Sequence, residues 1–155
     1  MRYFVLFIIF TFSSSSFSQI GKSETYENPT EVGRIERYLG DTHALYALSF
    51  TERDSKTKIY VLTFTNENTL YDNDKIPDLR ALRFTATQDE FDYLYAFLQQ
   101  GFNLKQIRSL EVGEHLVKTI TGKSRFLYIN VDFKDGDSAM FRVSKRQLAK
   151  LFGKK

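Results

Sequence analysis

The chain has 155 residues and sets 22 Lys+Arg against 19 Asp+Glu, a net charge of +3. That surplus is too small to point to a nucleic-acid partner. It has no cysteine, which excludes a disulfide framework and any thiolate nucleophile or ligand. Its aromatic residues are all Phe and Tyr, side chains that suit strands and packed helix faces.

Met1, Arg2 and Tyr3 form a short positive lead, followed by the apolar run FVLFIIFTF from Phe4 to Phe12. Apart from Phe17, Ser13 to Ser18 are small and polar, with Ser16 and Ser18 at the −3 and −1 positions of a cleavage site. This is the three-part pattern of a secretory signal peptide over residues 1–18. The apolar run falls well short of the roughly 20 residues that a membrane-spanning helix needs, so no stable membrane insertion is expected. The expected mature chain begins at Gln19 in a periplasmic or extracellular compartment, with residues 19–30 as a polar, flexible leader.

Residues 31–155 read as one α+β domain. VGRIERYL, HALYALSF, KIYVLTF and LRALRF have the length and texture of strands, and the Gly40–Asp41 pair turns the first into the second. A helix follows. Thr87 stands at its N-cap with Glu90 three residues on, a capping box, and Ala86 and Phe91 occupy the staple positions. Phe91, Leu94, Tyr95 and Leu98 share one face, and Gly101 is placed for a left-handed stop.

KQIRSLE, HLVKTIT, RFLYINVDF and SAMFRV again read as strands, with turns at Val112–Gly113–Glu114 and Lys134–Asp135–Gly136–Asp137. Asp135–Gly136 is a preferred two-residue hairpin turn. The C-terminus then repeats the grammar of the first helix. Phe141, Val143, Ser144, Gln147, Leu148, Leu151 and Phe152 stand where Phe84, Ala86, Thr87, Glu90, Phe91, Leu94 and Tyr95 stood. The chain therefore reads as two ββββα pseudo-repeats, 31–101 and 102–155. Together they would make an antiparallel sheet of about eight strands with two helices on one face, a meander in each half being the simplest path. A closed barrel is the rival arrangement. The first repeat is the longer, with extra residues assigned to the connections Thr51–Thr57 and Asn66–Asp78. Strand alternation turns Leu127, Ile129, Val131 and Phe133 toward the helices and Phe126, Tyr128, Asn130 and Asp132 away from them.

Chemistry-bearing constellations are sparse. His43 and His115 follow equivalent acidic turns and, with Asp41 and Glu114, are the weak candidates for a metal site. Closed zinc sites ordinarily show local ligand pairs, and this chain has none. Thr121–Gly122–Lys123–Ser124 ends like a phosphate-binding loop, but Val117 stands where that motif needs its first glycine. Asp132, Asp135 and Asp137, and Asp72, Asn73, Asp74 and Asp78, have calcium-like composition without the alternating ligand pattern. No nucleophile elbow is present, so no catalytic residue and no cofactor is assigned. Glu52, Asp54, Glu67 and Asp72 are read as solvated loop carboxylates. The basic run Arg142, Lys145, Arg146, Lys150, Lys154 and Lys155 is read mainly as the solvent side of a core-closing helix.

The leading expectation is an exported, non-enzymatic binding or protein-interaction module with a protein or glycan partner. Its interaction surface would hold Phe126, Tyr128, Met140 and Arg142, residue types enriched at interface centres. The alternative is a small secreted or periplasmic hydrolase of glycans or peptides that uses loop carboxylates. A homodimer through the same face is a third reading, in which the exposed aromatics become structural.

Overall fold

The computed structural model describes residues 28–39, 42–69, 77–104, 106–121 and 125–154. The signal segment 1–18, the Gly40–Asp41 turn, Asp72 to Asp74 and the Gly122–Lys123–Ser124 turn lie outside the described residues, as does most of the leader 19–30. Ten elements follow one another as β1 (Thr30–Leu39), β2 (Thr42–Glu52), β3 (Thr57–Thr65), β4 (Leu79–Thr87), α1 (Gln88–Gln100), β5 (Arg108–Val112), β6 (His115–Thr121), β7 (Phe126–Asp132), β8 (Ser138–Ser144) and α2 (Lys145–Leu151). These are the two ββββα units. Each is an antiparallel meander, β1-β2-β3-β4 and β5-β6-β7-β8, so the eight strands form two four-stranded ladders.

Both helix starts carry the predicted reciprocal caps. The Glu90 amide donates to Thr87 Oγ1 at 3.3 Å, and the Thr87 amide donates to Glu90 Oε2 at 2.8 Å. At α2 the Gln147 amide donates to Ser144 Oγ at 3.3 Å and the Ser144 amide to Gln147 Oε1 at 2.9 Å. Each pair satisfies two amides that the first helical turn leaves without partners.

Alternation along the strands builds the core. Leu127, Ile129 and Val131 of β7 and Ala139, Phe141 and Val143 of β8 are buried, as are Tyr60, Leu62 and Phe64 of β3 and Leu82, Phe84 and Ala86 of β4. The inner faces of the two sheets meet at Phe141, whose ring lies 4.6 Å from Phe64 and 5.7 Å from Tyr46. Phe91 of α1 stacks on Tyr60 at 4.3 Å and packs on Phe152, just past α2, at 5.1 Å. Both helices thus seal the same apolar interior, where each buried Phe or Leu contributes about 1.5–3 kcal/mol. A seven-residue helix such as α2 has no stability of its own. It is held by burying Leu148, Leu151 and Phe152.

The units interlock through close approaches at two glycines. A Cβ at Gly33 of β1 would lie 2.2 Å from the Lys150 carbonyl oxygen and 2.5 Å from that of Leu151. The end of α2 is therefore seated directly on the β1 backbone. Gly101 plays a similar part, and here the left-handed stop expected from the sequence is not what forms. Its φ is −57°, an ordinary right-handed value. A Cβ there would come within 2.9 Å of Leu127 Cδ1 on β7, so a larger residue would have to push the end of that side chain aside.

Two details of the connections also differ from expectation. Thr51, Glu52 and Thr57 belong to strands: β2, β3 and β4 have 11, 9 and 9 residues where β6, β7 and β8 have 7 each. The longer first unit is thus partly a longer sheet. The β7–β8 hairpin closes at Phe133 and Asp137, whose backbone bond is 2.8 Å, around a three-residue loop with Gly136 at φ 88°. This is a turn followed by a bulge, not the two-residue turn.

Candidate functional site: an open strand face and the polar clamp beside it

β8 is the last strand of its ladder, so its outer backbone groups need partners from elsewhere. The segment just after β3 supplies them. The Glu67 amide donates to the Met140 carbonyl at 2.7 Å, and the Met140 amide donates to Asn66 Oδ1 at 3.1 Å. One step on, the Arg142 amide donates to Glu67 Oε1 at 3.1 Å, and the Arg142 carbonyl accepts from Arg37 Nη1 at 3.3 Å. Three side chains and one amide of the first unit therefore continue the ladder along the edge of the second.

Glu67 is the centre of this arrangement. Only 5% of it is exposed. Its Oε1 accepts from the Tyr46 hydroxyl at 2.5 Å and from Arg37 Nη1 at 3.4 Å, and Oε2 lies 2.9 Å from Arg142 Nε. A carboxylate this deep needs such partners, since an unpaired buried charge is very costly. Burial, and then the hydrogen bond to Glu67, raise the pKa of the Tyr46 hydroxyl far above its ordinary value. The hydroxyl stays a donor at any physiological pH. Asn66 is anchored in turn by Asp78, whose Oδ2 accepts from Asn66 Nδ2 at 3.1 Å. Hydrogen bonds from Arg80, then from Asn66, hold the Asp78 carboxyl below its usual pKa. Arg80 also reaches Asp137 in the β7–β8 loop at 2.6 Å.

On the far side of β7 and β8 from the core lie Phe126, Tyr128, Met140 and Arg142, all half-buried. The register sets Tyr128 opposite Arg142 and Asn130 opposite Met140. The Phe126 ring is flanked by the guanidinium carbons of Arg142 at 5.5 Å and Arg37 at 5.9 Å. The structure thus brings the four sequence-selected surface residues onto one face. It also gives Arg142 a second partner that sequence reasoning missed. Glu67 is thus a buried partner and not a solvated loop carboxylate, and the roles of Arg37, Tyr46 and Asn66 beside it are set by packing between the two units. The one signal in the sequence is the inward alternation of Tyr60, Leu62 and Phe64 on β3, which continues to Asn66 but not to Glu67.

The remaining candidates occupy separate places. His43 stacks on Tyr38 at 4.9 Å and lies 3.8 Å from Glu36. His115 meets the Phe133 ring edge-on at 5.3 Å, and its Nδ1 accepts from the Lys134 amide at 3.4 Å. Glu114 is paired with Lys134 Nζ at 2.5 Å, and Asp41 lies outside the described residues. Among the described residues, no three His, Cys, Asp or Glu side chains are grouped so as to hold a metal ion. Asp132 pairs with Lys118, and Asp137 with Arg80. Of the loop carboxylates, Glu52 faces Lys58 at 3.4 Å, and Asp54 accepts from the Lys56 and Thr57 amides and the Thr57 hydroxyl. Those Thr57 and Lys56 hydrogen bonds keep the Asp54 carboxyl below its ordinary pKa. No helix among the described residues is long and apolar enough to cross a membrane. No family model, curated protein or solved structure matches this chain.

Proposed function

We propose that the protein is an exported, non-enzymatic binding module whose working surface is the outer face of β7 and β8. The observation that carries this reading is the pairing of Tyr128 with Arg142 on a half-open face that also holds Phe126 and Met140. Aromatic, methionine and arginine side chains are enriched at interface centres, and Tyr and Arg are frequent there among the residues that dominate binding energy. The clamp strengthens the case. Glu67 fixes both the backbone and the guanidinium of Arg142, so that little side-chain freedom remains to be lost on binding. Export rests on the charged lead, apolar run and small-residue site of residues 1–18. The partner is a protein or a glycan outside the cytoplasm.

The test compares the tagged mature chain with a Tyr128→Ser/Met140→Ser variant as bait for the envelope and medium of the native host. Both positions leave the clamp intact, so the melts should agree. The variant should retain its partner at least about tenfold less well, a loss of roughly 1.4 kcal/mol. Equal recovery by a folded variant would refute the assignment of the face.

A further inference from the structure

Phe126 also borders an open groove of about 460 Å³, lined otherwise by Arg125, Ser144, Lys145, Arg146 and Gln147. Its three cationic side chains are exposed, and among the described residues none of the three has an ion-pair partner. Elsewhere the surface cations are largely matched: Lys134 with Glu114, Lys154 with Asp92, Arg34 with Glu36, Arg80 with Asp78 and Asp137. Three exposed cations therefore stand side by side here without a carboxylate among the described residues to offset them. The lining contains no carboxylate. The side-chain oxygens of its two uncharged polar members, Ser144 and Gln147, accept from each other's amides in the α2 capping box. The groove is a local positive field of the kind that gathers anions.

From the surrounding chemistry we infer that this groove binds an acidic polysaccharide, a chain carrying carboxylates or sulfates at regular intervals. Three long exposed cations along an open trough suit a repeating anion better than a single small one, which favours an enclosed cradle of donors. A peptide would gain most by adding a strand, but Asn66, Glu67 and Arg37 already occupy the β8 edge at Met140 and Arg142. A nucleic acid would want a stacking platform, and the adjacent Phe126 ring already has Arg37 and Arg142 against it. This inference rests on the reading of the β7–β8 face as the working surface, and names the chemistry of what that face holds.

The experiment measures binding of the mature chain to polygalacturonate and to dextran sulfate by calorimetry at about 50 mM salt, where exposed charges are weakly screened. Neutral dextran, poly-glutamate and a single-stranded oligonucleotide serve as the other arms. Either acidic polysaccharide should bind, neutral dextran should not, and affinity should fall as salt rises. Arg125→Gln/Lys145→Gln/Arg146→Gln should weaken binding at least about tenfold and flatten the salt dependence. Should that variant melt early, Arg125→Glu, which leaves α2 untouched, carries the same expectation. No binding by the wild type to either polysaccharide, equal binding by a folded variant, or tighter binding of poly-glutamate or the oligonucleotide overturns the inference. If it fails while Tyr128→Ser/Met140→Ser still loses a captured partner, the face stands and its ligand is not an acidic polysaccharide.

Discussion

Replacing Glu67 by alanine removes the one acceptor that the Tyr46 hydroxyl, the Arg142 amide and the Arg37 guanidinium share. The buried Tyr46 hydroxyl would then have no acceptor for its proton, keeping only the long 3.5 Å contact from Arg37 Nη1, and a buried donor left unsatisfied costs about 1–3 kcal/mol. Taking one member from a buried ion pair costs about 3–5 kcal/mol in all, because the other charge is left stranded. Here the side chains of Arg37 and Arg142 retain 13% and 22% exposure, so water recovers part of that loss. We expect about 3 kcal/mol for Glu67→Ala, and less for Glu67→Gln, which keeps an acceptor oxygen. Urea slopes for single domains are about 1–3 kcal/mol per molar, so the midpoint should fall by roughly 1–3 M. Hydrogen exchange at the Arg142 amide should accelerate together with the melt, because Glu67 Oε1 is its acceptor. A Glu67→Ala variant within about 0.5 kcal/mol of wild type, with that amide still protected, would refute the clamp.

Thr87→Ala and Ser144→Ala should each lower stability by about 0.5–2 kcal/mol in denaturant melts, since each removes a capping oxygen. Hydrogen bonds from Arg80, then Asn66, depress the Asp78 carboxyl, and one from Lys154 depresses that of Asp92. Folded protein therefore binds fewer protons at both sites than unfolded protein. Their stabilisation is complete above the ordinary carboxyl value near pH 4 and is lost as pH falls through the lower folded values. Acid melts of Arg80→Gln and Lys154→Gln should accordingly show a shallower decline below about pH 4 than the wild type. Mass spectrometry of protein from its native host should find a chain that begins at Gln19; recovery of Met1 to Phe12 on protein in the cytoplasm would remove the export proposal.

Much of the fold was legible because its signals are local. A capping box spans four residues, and a two-residue alternation identifies the buried side of a strand wherever that strand ends up. The match between Phe84–Tyr95 and Phe141–Phe152 therefore carried over directly into two ββββα units. Features made by approach between the units were not legible. Glu67 meets the Arg142 amide across 75 positions of sequence, and nothing near Glu67 distinguishes it from a solvated loop carboxylate. Gly33 reads as an ordinary strand glycine until α2 is laid across it. Gly101 has the position of a left-handed stop, yet its real constraint is Leu127, which belongs to the other unit. For the same reason the division into two ladders escaped prediction: hairpins specify which strands pair within a unit, while the fate of the edges depends on how the units dock. Of the candidate site, alternation placed Phe126, Tyr128, Met140 and Arg142 on one face but could not tell that Arg142 is also tied to Glu67.

The most direct test of the β7–β8 face uses a photo-reactive phenylalanine analogue at Tyr128, compared with the same residue at Thr63. Thr63 is half-buried on the outer side of the first sheet, opposite Ala47 and Ala81. Irradiation in the native host should give a discrete adduct from position 128 and none from position 63. Adducts from position 63 alone, or equal yields from the two, would contradict the account.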